Sequence, residues 1–305
     1  MRSQRADGAW EFPDPEWRGR VTTVEGLWSS FALLESFRRT GENRFVEPVL
    51  LWDRFFKQQI GFQEYRHALA VNYFAGRADT LVPNNSFSVI RYLAQLDQAT
   101  QSNQNAALID RLLSFLELTQ QPNGEFPYEL DQPRMRHFQC FQYHGFLLLD
   151  LLDYYRISAC PRAVTILHGL ARFLMTGVTA SGDVMYQCGI QYRHVNYHAA
   201  VCMAALHQYW LHFQADSPDK LAQQIPGKVC LILNQLQAKQ RQDGSFPHSR
   251  GDYRFLADRR SYPRYLAMML LHLMMTEQQS VSLAGSCSLE NNQHLLERAN
   301  LHSQC

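Results

Sequence analysis

Gln4-Arg5-Ala6-Asp7-Gly8-Ala9-Trp10 returns in altered form as Gln120-Gln121-Pro122-Asn123-Gly124-Glu125-Phe126 and as Gln240-Arg241-Gln242-Asp243-Gly244-Ser245-Phe246. A segment that keeps a glutamine, a glycine and an aromatic residue at constant spacing marks a repeat architecture. Two weaker copies fill the gaps: Phe173-Leu174 followed by Gly182, and a degenerate one around Phe55-Phe56 and Gly61-Phe62-Gln63-Glu64-Tyr65. The period is roughly sixty residues, enough for two helices and a loop. The repeating unit is therefore a helical hairpin.

The 305 residues are 46% hydrophobic with a formal net charge of +1. A chain of that size buries a large core, and so balanced a charge gives no field to attract nucleic acid. The seven cysteines are odd in number and form no C-x-x-C pair, which fits a reducing compartment better than a disulfide scaffold. No apolar run reaches the roughly 18 residues needed to span a bilayer, and Met1-Arg2-Ser3-Gln4 opens no signal peptide. The chain reads as cytoplasmic, either free or in peripheral contact with a membrane.

The helical segments alternate in character. Those near 21–38, 84–98, 138–156, 195–213 and 261–276 are apolar or aromatic nearly all round, as buried helices are. Those near 44–59, 105–120, 161–176 and 217–239 carry one polar stripe, as a solvated outer layer requires. Pairs of this kind predict an all-α fold, an α/α toroid of about ten or eleven helices in two concentric rings. Residues 1–276 would form it, and 277–305 would be a polar tail holding a closing helix within 287–300. Gln4 reads as the end of an outer helix whose preceding part is missing, so either the toroid is short by a helix or the chain start is truncated. No strands are predicted. Turns from inner to outer helix are short, whereas the returns Phe12 to Arg18, 62–83, 124–137, 182–194 and 244–260 are long. Long loops gathered at one mouth read as functional, the rival reading being that they plug the barrel.

Arg111, Phe115-Leu116, Gln120, Gly124 and Phe126 form a basic residue, an aromatic-Leu pair and Q-x-x-x-G-x-F. This pattern resembles the QW repeat of the terpenoid cyclase and protein prenyltransferase toroids, such as squalene-hopene cyclase. The resemblance implies a single-domain class II terpene or meroterpenoid cyclase, which protonates a linear prenyl chain without metal. The D-x-D-D motif of that family is absent; at its place stands Asp79-Thr80-Leu81-Val82-Pro83-Asn84-Asn85. Asp79 would then be a desolvated, neutral acid, with Asn84 and Asn85 orienting it. Trp28, Phe87, Phe141, Tyr143, Tyr197 and Tyr262 would line a cavity and stabilise carbocations, and Arg260 and Arg264 would hold an anionic aromatic head. The partner implied is a hydrophobic small molecule. The plainer alternative has Asn85 capping a helix, Asp79 in solvent and the aromatics in the core.

A second constellation points to different chemistry. Tyr143-His144 and Tyr197-His198 recur at one place in successive inner helices, and Arg254, Arg259, Arg260 and Arg264 crowd the last long loop. Arginines that neutralise a uronate carboxylate, with His or Tyr removing the α-proton, would make a polysaccharide lyase or C5-epimerase. Asn84-Asn85-Ser86-Phe87 also resembles the Asn-rich helix starts of toroidal alginate lyases, without the His that follows there. Each His taken alone is equally a core residue, and the arginines would equally pair with Asp252 and Asp258. A third reading is a non-catalytic toroid that binds a partner across its mouth. No Asp-x-Cys pair supports a zinc site, and no P-loop or G-x-G-x-x-G follows a strand, so no cofactor is expected. Asp150-Leu151-Leu152-Asp153 reads as a helix-end charge pair, and Glu25 as a first-turn acid favoured by the helix dipole. The cyclase stands first among the three.

Overall fold

The four glycines of the repeat have one conformation. Gly8, Gly124, Gly182 and Gly244 have φ between 79° and 95°, a region open to glycine at little cost. Around each of them a residue three positions earlier accepts from the glycine N–H and donates to the carbonyl of the following residue. The partners are Arg5 and Ala9, Gln121 and Glu125, Thr179 and Asp183, and Arg241 and Ser245, at 2.8–3.2 Å. In three copies an Asx side chain tightens the turn by accepting from the N–H two residues on: Asp7 from Ala9, Asn123 from Glu125, Asp243 from Ser245. The repeat glutamines complete it. Gln4 Nε2 donates to the carbonyls of Gly8 and Pro48, at 2.7 and 2.8 Å, and Gln120 Nε2 to those of Gly124 and Ile166, at 3.3 and 3.1 Å. These two turns are thus fastened to the outer helix of the next hairpin.

The computed structural model describes residues 4–11, 19–130, 139–215, 221–249 and 259–277, without the side chains of 190–193. Nine α-helices lie among them: α1 (Thr23–Thr40), α2 (Glu47–Phe55), α3 (Pro83–Thr100), α4 (Ala106–Thr119), α5 (Phe141–Ser158), α6 (Pro161–Thr176), α7 (Asn196–Phe213), α8 (Leu221–Lys239) and α9 (Pro263–Glu277). Short links end the inner helices in left-handed residues: Gly41 (φ 71°) caps α1 and Gln101 (φ 51°) caps α3. The expectation of no strands is corrected. Two of the long returns fold into antiparallel hairpins, β1 (Phe62–Tyr65) with β2 (Ala68–Val71), and β3 (Met185–Gln187) with β4 (Ile190–His194). A return of some twenty residues has more backbone donors and acceptors than a loose loop satisfies, and pairing on itself meets that need. The closing helix expected within 287–300 lies outside the described residues.

Two compact units divide the chain, Met1–His137 with Asp150–Ile166, and Phe138–Leu149 with Leu167–Cys305. In the first, α1 packs on α2 and α3, α3 on α4, and β2 on α3 and α4. Trp52 is fully buried beside Trp10, Phe55 and Phe56, and Gly26 lies so close under it that a Cβ would meet its ring at 2.0 Å. Asp150 and Asp153, read as a helix-end pair, instead receive Arg91 of α3. Arg91 donates to Asp150 at 2.9 Å and reaches Asp153 at 3.1 Å, Ser88 Oγ donates to Asp150 at 2.6 Å, and the guanidinium lies over Phe31. In the second unit α7 packs on α8 and α9 and is buried nearly all round, including the Ala199-Ala200 and Ala204-Ala205 pairs that allow close approach.

The glycine argument has a direct test within the second unit. A Cβ on Gly182 would meet the Leu231 carbonyl oxygen at 2.1 Å, whereas one on Gly189, with a similar φ of 80°, meets nothing within 4 Å. Gly189→Ala is expected to cost about 1 kcal/mol from backbone strain alone, and Gly182→Ala at least about 2 kcal/mol more, because a backbone must move. Denaturant unfolding of the two variants checks the difference.

Candidate functional site

Where the last repeat turn runs into α7, polar backbone is sewn together. Val195 and Ser249 form an isolated antiparallel bridge. Asn196 N–H donates to the His248 carbonyl at 3.2 Å, Asn196 Nδ2 to the Pro247 carbonyl at 2.7 Å, and His248 N–H to the Arg260 carbonyl at 2.9 Å. These bonds set three pieces of chain side by side: the end of β4, the turn after Gly244, and the start of α9.

Their side chains build one aromatic and imidazole cluster. The Tyr197 ring stacks on Tyr265 (centroids 4.1 Å, 6° apart) and on His248 (5.2 Å, 26°), and meets His198 edge-on at 4.6 Å. His248 also touches Tyr262 and Tyr265, at 5.3 and 4.8 Å. His198 is 1% exposed and stacks on Tyr186 of β3 at 5.1 Å. Arg260 is exposed with its guanidinium 5.2 Å from the Tyr262 centroid. His194, which ends β4, has a buried Nε2 without a hydrogen-bond partner among the described residues. Two imidazoles in contact with one tyrosine, with a guanidinium close by, can move a proton and steady a negative charge.

Of the residues expected from the sequence, Tyr197, His198, Arg260 and Tyr262 meet here. Arg264 is exposed on the first turn of α9, and Arg254 lies outside the described residues. His194, Tyr186 and His248 were missed, although a signal for two of them exists. The residue four after the repeat glycine is Tyr128, Tyr186 or His248 in the last three copies, so aligning the repeats places His248 beside the start of the next inner helix.

The remaining expected residues go elsewhere. Phe87 is fully buried edge-on to Phe126 at 4.9 Å, and Phe141 stacks on Phe173 at 5.3 Å; both are core. His144 is wholly buried against Phe173, its Nδ1 3.1 Å from the Cys140 carbonyl, and Tyr143 beside it is half-buried. In the first unit Trp28 of α1 is 54% exposed. Asn84 and Asn85 open α3 behind Pro83, but the cap position is Val82 and no side chain caps the helix. Asn84 Oδ1 and Asn85 Nδ2 are buried without a partner among the described residues. Asp79 is half exposed, ion-paired with Arg77 and bonded by Thr80 Oγ1 at 3.1 Å. The Arg77 guanidinium holds its carboxyl below the ordinary value. It is a charged surface carboxylate, the opposite of the neutral, desolvated acid a cyclase needs.

No family model matches the chain, and no curated protein matches it in sequence. Solved structures do. A sugar epimerase from a ruminal bacterium superposes with a TM-score of 0.77 at 12% identity, covering 98% of this chain and 79% of its own. A D-mannose isomerase gives 0.70 at 12%, covering 95% and 82%, and a polysaccharide lyase 0.63 at 13%, covering 92% and 76%. The fold is the α/α toroid. The toroid fold holds, but these neighbours are a sugar epimerase, a mannose isomerase and a polysaccharide lyase, not terpene cyclases. Together with the charged state of Asp79, this overturns the class II cyclase reading and with it the hydrophobic prenyl substrate. Among the described residues no helix is long and apolar enough to cross a membrane.

Buried imidazoles give the toroid a pH dependence. Burial pushes His144 and His207 down from 6.5 to about 4, and both ring nitrogens of His207 lack a hydrogen-bond partner among the described residues. Above pH 6.5 both are neutral whether folded or not. As the pH falls towards 4 the unfolded chain takes up protons that the folded chain refuses, so stability declines across that window and levels off below it. Thermal melts from pH 7 to 4 are expected to show this fall, and His207→Leu to reduce it while raising Tm at pH 7.

Proposed function

We propose that this toroid is a carbohydrate-active enzyme that moves a proton at a carbon next to a carbonyl, as an epimerase or isomerase. The observation that carries the reading is the pair of imidazoles in contact with Tyr197 at the first turn of α7, in a fold shared with sugar epimerases. A carbon-bound proton beside a carbonyl is weakly acidic, and its removal needs a positioned base and a group that steadies the enolate. His248, half-buried at its turn, is the base. His198, edge-on to the same Tyr197, is the second imidazole, and a proton returned to the opposite face of the carbon would invert it. The tyrosines Tyr262 and Tyr265 supply hydroxyls for enolate and sugar oxygens.

In the first unit, the unpartnered amide atoms of Asn84 and Asn85 suit sugar hydroxyls, and the exposed ring of Trp28 suits the apolar face of a pyranose. Arg260 over Tyr262 supports a second reading on the same chemistry. An exposed guanidinium beside a base is suited to a uronate carboxylate, so that β-elimination or C5 epimerisation of a uronic-acid polymer would use the same His248.

Purified protein incubated with reducing mono- and disaccharides, and with uronate oligomers, is expected to give an epimer or isomer resolved by chromatography. Ultraviolet absorbance of an unsaturated uronate would select the second reading. His248→Gln and His198→Gln should each lower kcat by about 100-fold or more, with the helical circular dichroism intact. Activity that survives both substitutions would place the chemistry elsewhere.

A further inference from the structure

The first unit holds a cleft that shares no residue with the imidazole cluster. It encloses about 680 Å³ and lies among the first repeat turn, the end of α2 and the loop after β2. This is the size range of small-molecule sites, about 300–1,000 Å³. Its charged lining consists of Arg5, Arg20, Arg54 and Arg77 against a single acid, Asp7. Counting Glu11 and Asp79, which pair with Arg5 and Arg77 from outside the lining, the cleft keeps an excess of one positive charge, and a cationic lining favours anions.

The guanidiniums are also placed. Arg5 is held from behind by Asp7 at 2.7 Å and Glu11 at 3.2 Å. Arg77 is held by Asp79 and lies 5.5 Å from the Phe74 centroid. Arg54, exposed on the last turn of α2, has no carboxylate partner among the described residues. The wall carrying Arg77 is fixed by backbone bonds, Gly76 N–H to the Gln59 carbonyl at 2.9 Å and Ala75 N–H to the Val21 carbonyl at 3.1 Å. Phe55 and Phe74 add apolar surface to the same lining. A planar guanidinium grips oxyanions through paired N–H donors, while aromatic faces take the apolar side of a ring.

We propose that this cleft binds an anionic sugar, one carrying a phosphate or a carboxylate, with Arg54 and Arg77 on the oxyanion and Phe55 and Phe74 against the ring. The site stands apart from the proposed reaction, and its test reads binding rather than turnover, so either can fail without the other.

Isothermal titration at low ionic strength, about 20 mM to limit screening, would use glucose 6-phosphate, glucuronate, inorganic phosphate and glucose as probes. At least one anionic sugar is expected to saturate with Kd below about 1 mM. The phosphate and carboxylate arms tell which oxyanion is preferred. Arg54→Gln and Arg77→Gln should each weaken that binding about 10-fold or more, Arg260→Gln should leave it unchanged, and glucose should not bind. Three results would overturn the proposal: no saturation by either anionic sugar up to about 10 mM, affinity unchanged from the parent chain in both Arg54→Gln and Arg77→Gln, or inorganic phosphate binding as tightly as both sugars.

Discussion

A glutamine side chain that reaches two backbones at once is the contact on which the rest depends. Gln4 and Gln120 each give one N–H to the carbonyl of their own repeat glycine and the other to a carbonyl on the outer helix one hairpin further on, Pro48 and Ile166. Carbonyls within a helix already accept one bond along the axis and have a lone pair to spare, so the clasp costs the helix nothing. It works only if the turn is tight and the glycine presses on the next helix. At Gly8, and equally at the Gly182 turn, an added Cβ would fall within van der Waals exclusion of a leucine carbonyl. A side chain there would push neighbouring hairpins apart, and the apolar faces of the outer helices would lose their packing.

The same turn aims the chemistry. Two residues past the glycine an apolar side chain drops into the core, Phe126 fully buried, Val184 and Phe246 nearly so. Two residues further, on the same side of the extended chain, stand Tyr186 and His248, and both contact residues of the first turn of α7. The element that holds the hairpins together therefore also delivers a polar ring to the start of an inner helix. A fold built this way can change its chemistry by exchanging one residue per repeat while leaving the clasp intact.

Helices were legible because burial writes itself into periodicity. The segment 195–213, apolar all round, is observed as Asn196–Phe213, and 161–176, with its polar stripe, as Pro161–Thr176. The hairpins were not, since β1 and β2 are four residues each, Ala68–Val71 lacks alternation, and their turn uses Arg66 at φ 55° instead of a glycine. At the site, the Tyr197-His198 pair was legible as a recurrent dipeptide, but the same logic overreached at Tyr143-His144, where His144 faces Phe173 in the core. One helical position shared by two helices does not fix what each side chain meets. Asp79 failed for a related reason. Its position before an inner helix was suitable, but Arg77 two residues earlier keeps it charged in solvent, and only the folded loop reveals that.

Polar rings on rigid backbone, an exposed arginine beside them and a fold held in common with sugar epimerases make proton transfer at a sugar carbon the central claim. Solvent exchange tests it most directly. With the substrate turned over in deuterium oxide, proton NMR should show the signal of a single carbon-bound hydrogen, next to the carbonyl or carboxylate, replaced by deuterium as product forms. An epimer or isomer that forms with no deuterium in either sugar would contradict the account, because the carbon would then have changed without surrendering its proton to a base in contact with solvent.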